Sequence, residues 1–505
     1  MTQDHSAIAA LFRASMPTDA QTTSFRIDSL DRLGIPVVQA NLVSPDRPTI
    51  IGHGYGLTEA EATTGALGEL CEEVHVGAWV KRQTPVQASY NSLLARLGAT
   101  GVADPLTLCL PAGSPYDPDA VRAWLPARRY PSDETVLVPL EWVAIASYQL
   151  DGRPGLITPI TNGLGAGLDL EHAIAHGVME LLQRDGNVLT YRAFDEGIVI
   201  GFDDTLDPDC EALRQLLRDT GIDVTVKLAS TEFGMTNLYV VGDDLGPVSL
   251  PIQVTACGEA AHPNKVRGLR KALLEFIGSR SRKAATHGPI ELLSHLLPPA
   301  SFARQMAVAE ARDEEPRALD TMADWIGQDA AELRRRLRAT VFLQRCEVPF
   351  NSLPDVTEDL GDSRTRLDWL ARRLHADGLE ILWVDCSPAG SPVCAVKVIV
   401  PGLESETMSY HRIGWRGVAR LRARGDSLLA DRPAPGFKPV SLRPADADRA
   451  GGAAFLDTAS IDARVELVYP LYREANPLSA QLALQRRRDA STVPARTPAG
   501  LTQPA

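Results

Sequence analysis

Two spacings of apolar residues organise this chain, one helical and one strand-like. From Leu170 the apolar positions Ile174, Val178, Leu181 and Leu182 recur at helical spacing, and Asp169 stands where an N-cap belongs. At about 100° per residue, His172, His176, Glu180 and Gln183 fall within roughly 80° of one another, so a polar stripe runs opposite the apolar face. Ahead of this helix, Thr161-Asn162-Gly163-Leu164-Gly165-Ala166-Gly167-Leu168 reads as a glycine-rich loop that lets a ligand approach backbone closely. Thr58 and Glu61 form the capping box of an earlier helix, whose polar face carries Glu61, Glu69 and Glu72. A short helix ending at Gly34 precedes a strand at Ile35 to Val38, and further strand-like runs lie at 49–52, 136–145, 250–255, 379–384 and 393–400. Residues 290–350 read as helix formers with exposed charge, and Arg334 to Arg338 as a solvated helical face.

The two helices match. A shift of 111 positions superposes Gly56 on Gly167, Ala62 on Ala173, Glu69 on Glu180 and Glu72 on Gln183. A fainter third copy follows Ala261-His262-Pro263-Asn264, where a shift of 95 places Glu275 on Glu180. Periods near a hundred residues are too long for a solenoid, so the pattern predicts strand–loop–helix units duplicated within one α/β domain.

Composition narrows the class. With 505 residues, 44% of them hydrophobic, the chain can bury a large core. No apolar run is long enough to span a membrane and the first twenty residues lack a signal-peptide pattern, which predicts a cytoplasmic protein. Seven scattered cysteines without a CxxC pair argue against a disulfide framework or a structural zinc site. A net charge of −13 disfavours non-specific nucleic-acid binding, so any polyanion bound is expected to be small.

Glu69 and Glu72, one turn apart, repel each other, and a cation resolves that repulsion; Mg²⁺ with nucleotide phosphates suits such hard oxygen ligands. Arg184, Arg280, Arg412 and Arg416 are candidates to neutralise the phosphates. The alternative is an exposed acidic helix, against which the recurrence at Glu180 and Glu275 counts. A transition-metal reading through His172, His176 and Glu180 stays open, since imidazoles one turn apart share a face. His53 reads as a loop residue and Cys257 as a small buried one. There is no GxxxxGK[ST] loop, and Gly163-Leu164-Gly165-Ala166-Gly167 lacks dinucleotide-binding spacing.

Five ordered segments resemble the YcaO family: Asp28 to Val37, Gly52-His-Gly-Tyr-Gly-Leu-Thr-Glu-Ala-Glu-Ala, Thr161 to Gly167 with Glu180-Leu-Leu-Gln-Arg-Asp, Ala261-His-Pro with Ala272 to Arg280, and Val400-Pro-Gly-Leu-Glu. The resemblance implies an α/β YcaO fold over 24–430, with a helical insertion at about 285–350, flanked by an N-terminal extension (1–23) and a partly disordered Pro/Arg-rich extension (431–505). It implies ATP- and Mg²⁺-dependent activation of peptide backbone amides, giving thioamides or azolines in a ribosomally made precursor peptide. Carried over, Glu69, Glu72 and Glu180 match the Mg²⁺ ligands, with His172 and Gln183 at further metal positions. Arg184, Glu275, Arg280 and Arg412 or Arg416 match ATP contacts. A separate substrate-recruiting or TfuA-like partner is implied, and the reading admits a homodimer. The chain departs from the family pattern at Gly65, Glu73, His172 and Gln183, and it lacks the PxPxP ending, which tilts the expectation toward thioamides. The rival expectation is a degenerate, ATPase-inactive member serving as a peptide-binding or scaffold subunit.

Overall fold

The computed structural model describes residues 4–44, 49–202, 206–246, 248, 250–311, 314–356, 358–405 and 408–492. The chain is mixed α/β, and among the described residues its sheets are antiparallel apart from one strand pair, Ile198–Gly201 beside Cys346–Pro349. Among the described residues no helix is long and apolar enough to cross a membrane.

Three sheets matter for the site, and each contributes one edge strand. Ile50–Tyr55 edges a three-stranded sheet, Leu164–Gly167 a six-stranded one, and Cys257–His262 a five-stranded one. Each edge strand turns directly into a long helix: Glu59–Arg82, Leu170–Asn187 and Lys265–His287, called here the first, second and third site helices. The caps at Thr58 and Asp169 are those expected, and the third helix has one at Asn264. Thr58 closes a capping box with Glu61, Asp169 accepts from the His172 N–H, and Asn264 accepts from the Arg267 N–H.

Of the glycine-rich stretch expected as a loop, Leu164–Gly167 is a strand, and one glycine on each site strand serves packing. A Cβ on Gly54 would stand 2.0 Å from the Ala62 carbonyl oxygen, one on Gly165 2.1 Å from that of Ala173, and one on Gly258 2.1 Å from that of Ala272. Strand therefore lies flat on helix backbone, which only glycine permits. The strand feeding the third helix is 257–262; residues 251–254, expected as strand, form a 3₁₀ turn because Pro251 opens it. Likewise 136–145 is strand only to Pro139 and then a short helix, and residues 28–30 form a single 3₁₀ turn.

Helices Ile290–Leu296, Pro299–Ala311, Pro316–Gly327 and Ala330–Leu337 follow the third site helix. The arginine run there is less solvated than its charge suggests: Arg334 bonds Asp243 and the Asp244 carbonyl, and Arg336 bonds Asp324. The C-terminal region is also more ordered than its composition indicates. It holds a three-stranded sheet and the helix Ser479–Thr492, which contains Arg486 to Arg488. Its order comes from docking, since Leu484 packs with Met322 and Ile326 of Pro316–Gly327, a source of stability that composition does not register. Residues 493–505, part of the expected disordered tail, lie outside the described residues.

Candidate functional site

The three strand-on-helix units aim their polar faces into one cleft. Glu69, Glu180 and Glu275 occupy equivalent places on the three site helices, and each is steered by a hydrogen bond from a site strand or the turn that leads into one. Glu69 accepts from the His53 N–H (2.5 Å), Glu180 from the Gly163 N–H (2.9 Å) and Glu275 from the Tyr55 hydroxyl (2.9 Å). Glu72 crosses from the first helix to the second strand, accepting from the Ala166 N–H at 3.1 Å. The cross-links from Glu72 and Glu275 tie the units together, so the duplication is closed in space as well as repeated along the chain.

Electrostatics confirm the convergence. Burial among the helices, reinforced by Glu180 and Glu275, pushes the Glu69 carboxyl up to about 7. By area Glu69 remains exposed, as a group on the floor of an opening would be: solvent reaches it, but protein walls surround it. Glu72 is raised well above the usual range by burial, then by Glu180 and Glu69. Burial also raises Glu275, and it lifts Glu73 to about 8 with Glu69 adding repulsion. Glu73 thus adds a further carboxyl beside Glu69.

The cations nearby are fewer and mostly engaged. Arg184 reaches Glu259 at 2.8 Å and Glu180 at 3.5 Å. Glu259, on the third site strand, also accepts from Arg192, Asn187 and Gln183, and against burial it is Arg184, Arg192 and Gln183 that hold its carboxyl below the usual range. Gln183 therefore faces Glu259. His176 lies on the stripe with Nε2 3.7 Å from Glu72, and burial keeps it neutral, down at about 3. His172 packs beside Gly167, and burial lowers it too.

Sequence reasoning missed Tyr55, Glu259, Lys271 and Arg282. Lys271 and Arg282 were recoverable, because they stand four residues before and seven after Glu275, on its own helical face. Lys271 opposes the rise of the Glu275 carboxyl, and Arg282 that of Glu69. Arg280, by contrast, sits five residues past Glu275 and is rotated about 140° away. It is 1% exposed and fully engaged, with Asp31 (2.6 and 3.0 Å), Asp244 (2.8 Å) and the Gln253 carbonyl (2.9 Å). Arg416 is buried against Asp185, Glu232 and the Phe233 ring. Arg412 bonds the carbonyls of Leu108 and Cys109 and lines a pocket with Lys397 and Asn162. The structure thus brings Glu69, Glu72, Glu180, Glu275 and Arg184 together and leaves Arg280 and Arg416 in ionic networks that hold the fold.

Among the described residues no three His, Cys, Asp or Glu side chains close into a ready metal cage. What the cleft holds instead is a surplus of carboxyl groups, of which Glu69, Glu72 and Glu275 are pushed up by burial. That surplus fits a hard dication carrying phosphate oxygens, with Glu69, Glu72, Glu180 and Glu275 as the oxygen donors within reach.

Comparison with known proteins agrees. A family model described as YcaO cyclodehydratase, ATP- and Mg²⁺-binding, matches residues 53–404. An uncharacterised protein of Methanothermobacter thermautotrophicus is 27% identical over 397 residues, 77% of this chain and 91% of the relative. A protein of Rhizobium leguminosarum bv. trifolii, described as lying in the tfuA 3′ region, is 25% identical over 423 residues, 78% of this chain and 87% of the relative. Among solved structures, a heterocyclase in complex with substrate and cofactor matches with TM-score 0.59 and 17% identity, covering 82% of this chain. This chain spans about half, 53%, of that longer protein. The YcaO of Methanopyrus kandleri, bound with AMPPCP and Mg²⁺, matches with TM-score 0.53 and 19% identity over 78% of this chain and 88% of its own.

Proposed function

Because the chain belongs to the YcaO cyclodehydratase family of ATP- and Mg²⁺-binding proteins, we propose that its acidic cleft binds ATP with Mg²⁺ and activates backbone amides of a ribosomally made peptide. The observation that carries this reading is the meeting of Glu69, Glu180 and Glu275, equivalent residues of three duplicated helices, in one cleft with Arg184. When bound, the nucleotide supplies the phosphoryl group that turns the oxygen of an amide–nucleophile adduct into a leaving group, so that phosphate departs with that oxygen.

The chain's own part is positioning and charge neutralisation. Glu69, Glu72, Glu180 and Glu275 hold the dication, and the N–H groups of His53, Gly163 and Ala166 fix the carboxylate rotamers beforehand. Arg184, itself oriented by Glu259, and Lys271 face the phosphates. Calorimetric titration with ATP and Mg²⁺, repeated on Glu180→Gln, tests this. Binding by the parent chain and its loss in the variant are expected, and no binding by the parent overturns the reading.

The product we propose is a thioamide made with a TfuA-like partner, supported by the relative from the tfuA 3′ region. Mass spectrometry of peptide incubated with ATP, sulfide and partner distinguishes replacement of oxygen by sulfur from loss of water, the azoline outcome. The second reading, an ATPase-inactive subunit that binds peptide, is favoured by Gly65, Glu73, His172 and Gln183 at motif positions. It predicts peptide binding without nucleotide binding.

A further inference from the structure

The third site helix packs on the first site strand through Gly278, where a Cβ would come within 2.8 Å of the Tyr55 ring. One turn further along that face stands Arg282, near His53 and Glu69, at the end of the cleft remote from Lys271. A partner from more than 190 positions away dictates where its guanidinium points. Glu474 accepts a two-pronged hydrogen bond from Arg282 at 2.8 and 3.0 Å, and a third bond from His287 at 3.1 Å. Burial alone would raise the Glu474 carboxyl, yet Arg282, His287 and Lys283 hold it well below the usual range, so it is ionised whenever the protein is folded near neutrality.

Glu474 belongs to the C-terminal extension, and its segment is tied to the domain at several points. The Leu478 N–H donates to the Thr286 carbonyl (3.0 Å), Gln481 to the His287 carbonyl (2.8 Å), and the Asn476 N–H to Glu314 (2.8 Å). Leu478 is fully buried with Leu293, Leu297 and Ala309. A fork between guanidinium and carboxylate fixes a plane as well as a distance, and the arginine keeps further N–H donors for a second anion. The Arg282 side chain is still 34% exposed and lies close enough to Glu69 and His53 to act on both electrostatically, so it can serve that second anion.

We propose that Glu474 is a positioning residue: it holds Arg282 so that the free edge of its guanidinium meets the phosphates, making the C-terminal extension a structural part of the nucleotide cleft. This rests on the nucleotide-binding reading above. The experiment is calorimetric titration of the full chain with a non-hydrolysable ATP analogue and Mg²⁺, on the parent, Glu474→Gln, Arg282→Gln and the double variant, with thermal unfolding recorded for each. Each single variant is expected to weaken binding about tenfold, and the double variant to be no weaker than Arg282→Gln, since both changes remove one interaction. Parent-like or tighter binding by Glu474→Gln overturns the proposal, as do losses that add in the double variant. Should Glu474→Gln fail to fold, Arg282→Lys keeps the charge but not the fork; a similar loss supports the proposal and unchanged affinity overturns it. A parent chain that binds no nucleotide overturns the functional reading together with this one, whereas binding that ignores Glu474 and Arg282 overturns this one alone.

Discussion

Replacing Glu69 by Gln should make the ligand-free protein more stable and abolish its response to Mg²⁺-nucleotide. The amide keeps an oxygen to accept the His53 N–H, so the geometry of the first unit survives while one repelling charge disappears. The carboxyl is raised from 4.5 to about 7, and a pKa unit corresponds to about 1.4 kcal/mol, so the undiscounted strain near pH 8 is about 3 kcal/mol. Glu69 is solvent-exposed by area, and screening reduces this to about 1–2 kcal/mol. In a chain of this size that is a rise of about 2 °C in Tm. The parent, given Mg²⁺-nucleotide at a hundred times its Kd, gains about 2.7 kcal/mol by mass action, and the variant should gain none. Thermal unfolding at pH 8 with and without ligand reads both effects. A lower ligand-free Tm in Glu69→Gln, or an undiminished shift with ligand, would refute the idea that the cation relieves the cost of an ionised Glu69, buried and beside other carboxylates.

The same shift sets a pH dependence. A carboxyl whose folded pKa is raised favours folding below its unfolded value, and this stability is lost as pH rises through the folded pKa; Glu69 should therefore destabilise the ligand-free protein between about 4.5 and about 7, and Mg²⁺ with nucleotide should restore stability at pH 8 more than at pH 5. Arg280→Met should cost about 3 kcal/mol or more by leaving buried Asp31 without its partner, yet leave nucleotide affinity of the folded protein unchanged, whereas Arg184→Met should weaken affinity; a selective affinity loss in Arg280→Met would return that residue to the site. Gly258→Ala, whose Cβ would stand 2.1 Å from the Ala272 carbonyl oxygen and 2.2 Å from the Phe276 nitrogen, should cost about 2–3 kcal/mol in chemical denaturation and, by shifting the helix that carries Glu275, lower nucleotide affinity; a neutral result would show that strand and helix separate freely.

What the chain determined unaided is the repeat and its chemistry. Helical spacing, the caps at Thr58 and Asp169, and the recurrence of Glu69, Glu180 and Glu275 are local or periodic properties, and they sufficed to place acidic faces on three duplicated helices. The purpose of the glycines was not visible: Gly165 read as a loop residue, whereas helix backbone lies close over Gly54, Gly165 and Gly258. Rotation about the third helix separates Arg282, in the cleft, from Arg280, in a sealed ion network; motif matching overlooked an angle that spacing from Glu275 would have supplied. Glu259 and Glu474 lay beyond any such rule. Each meets its arginine only through chain folding, Glu259 across from Arg184 and Glu474 from a segment whose composition suggested disorder. Sequence carries identity and periodicity, which fix the face of an element, while the partner across a gap depends on how elements dock, and that is set by packing summed over the whole core.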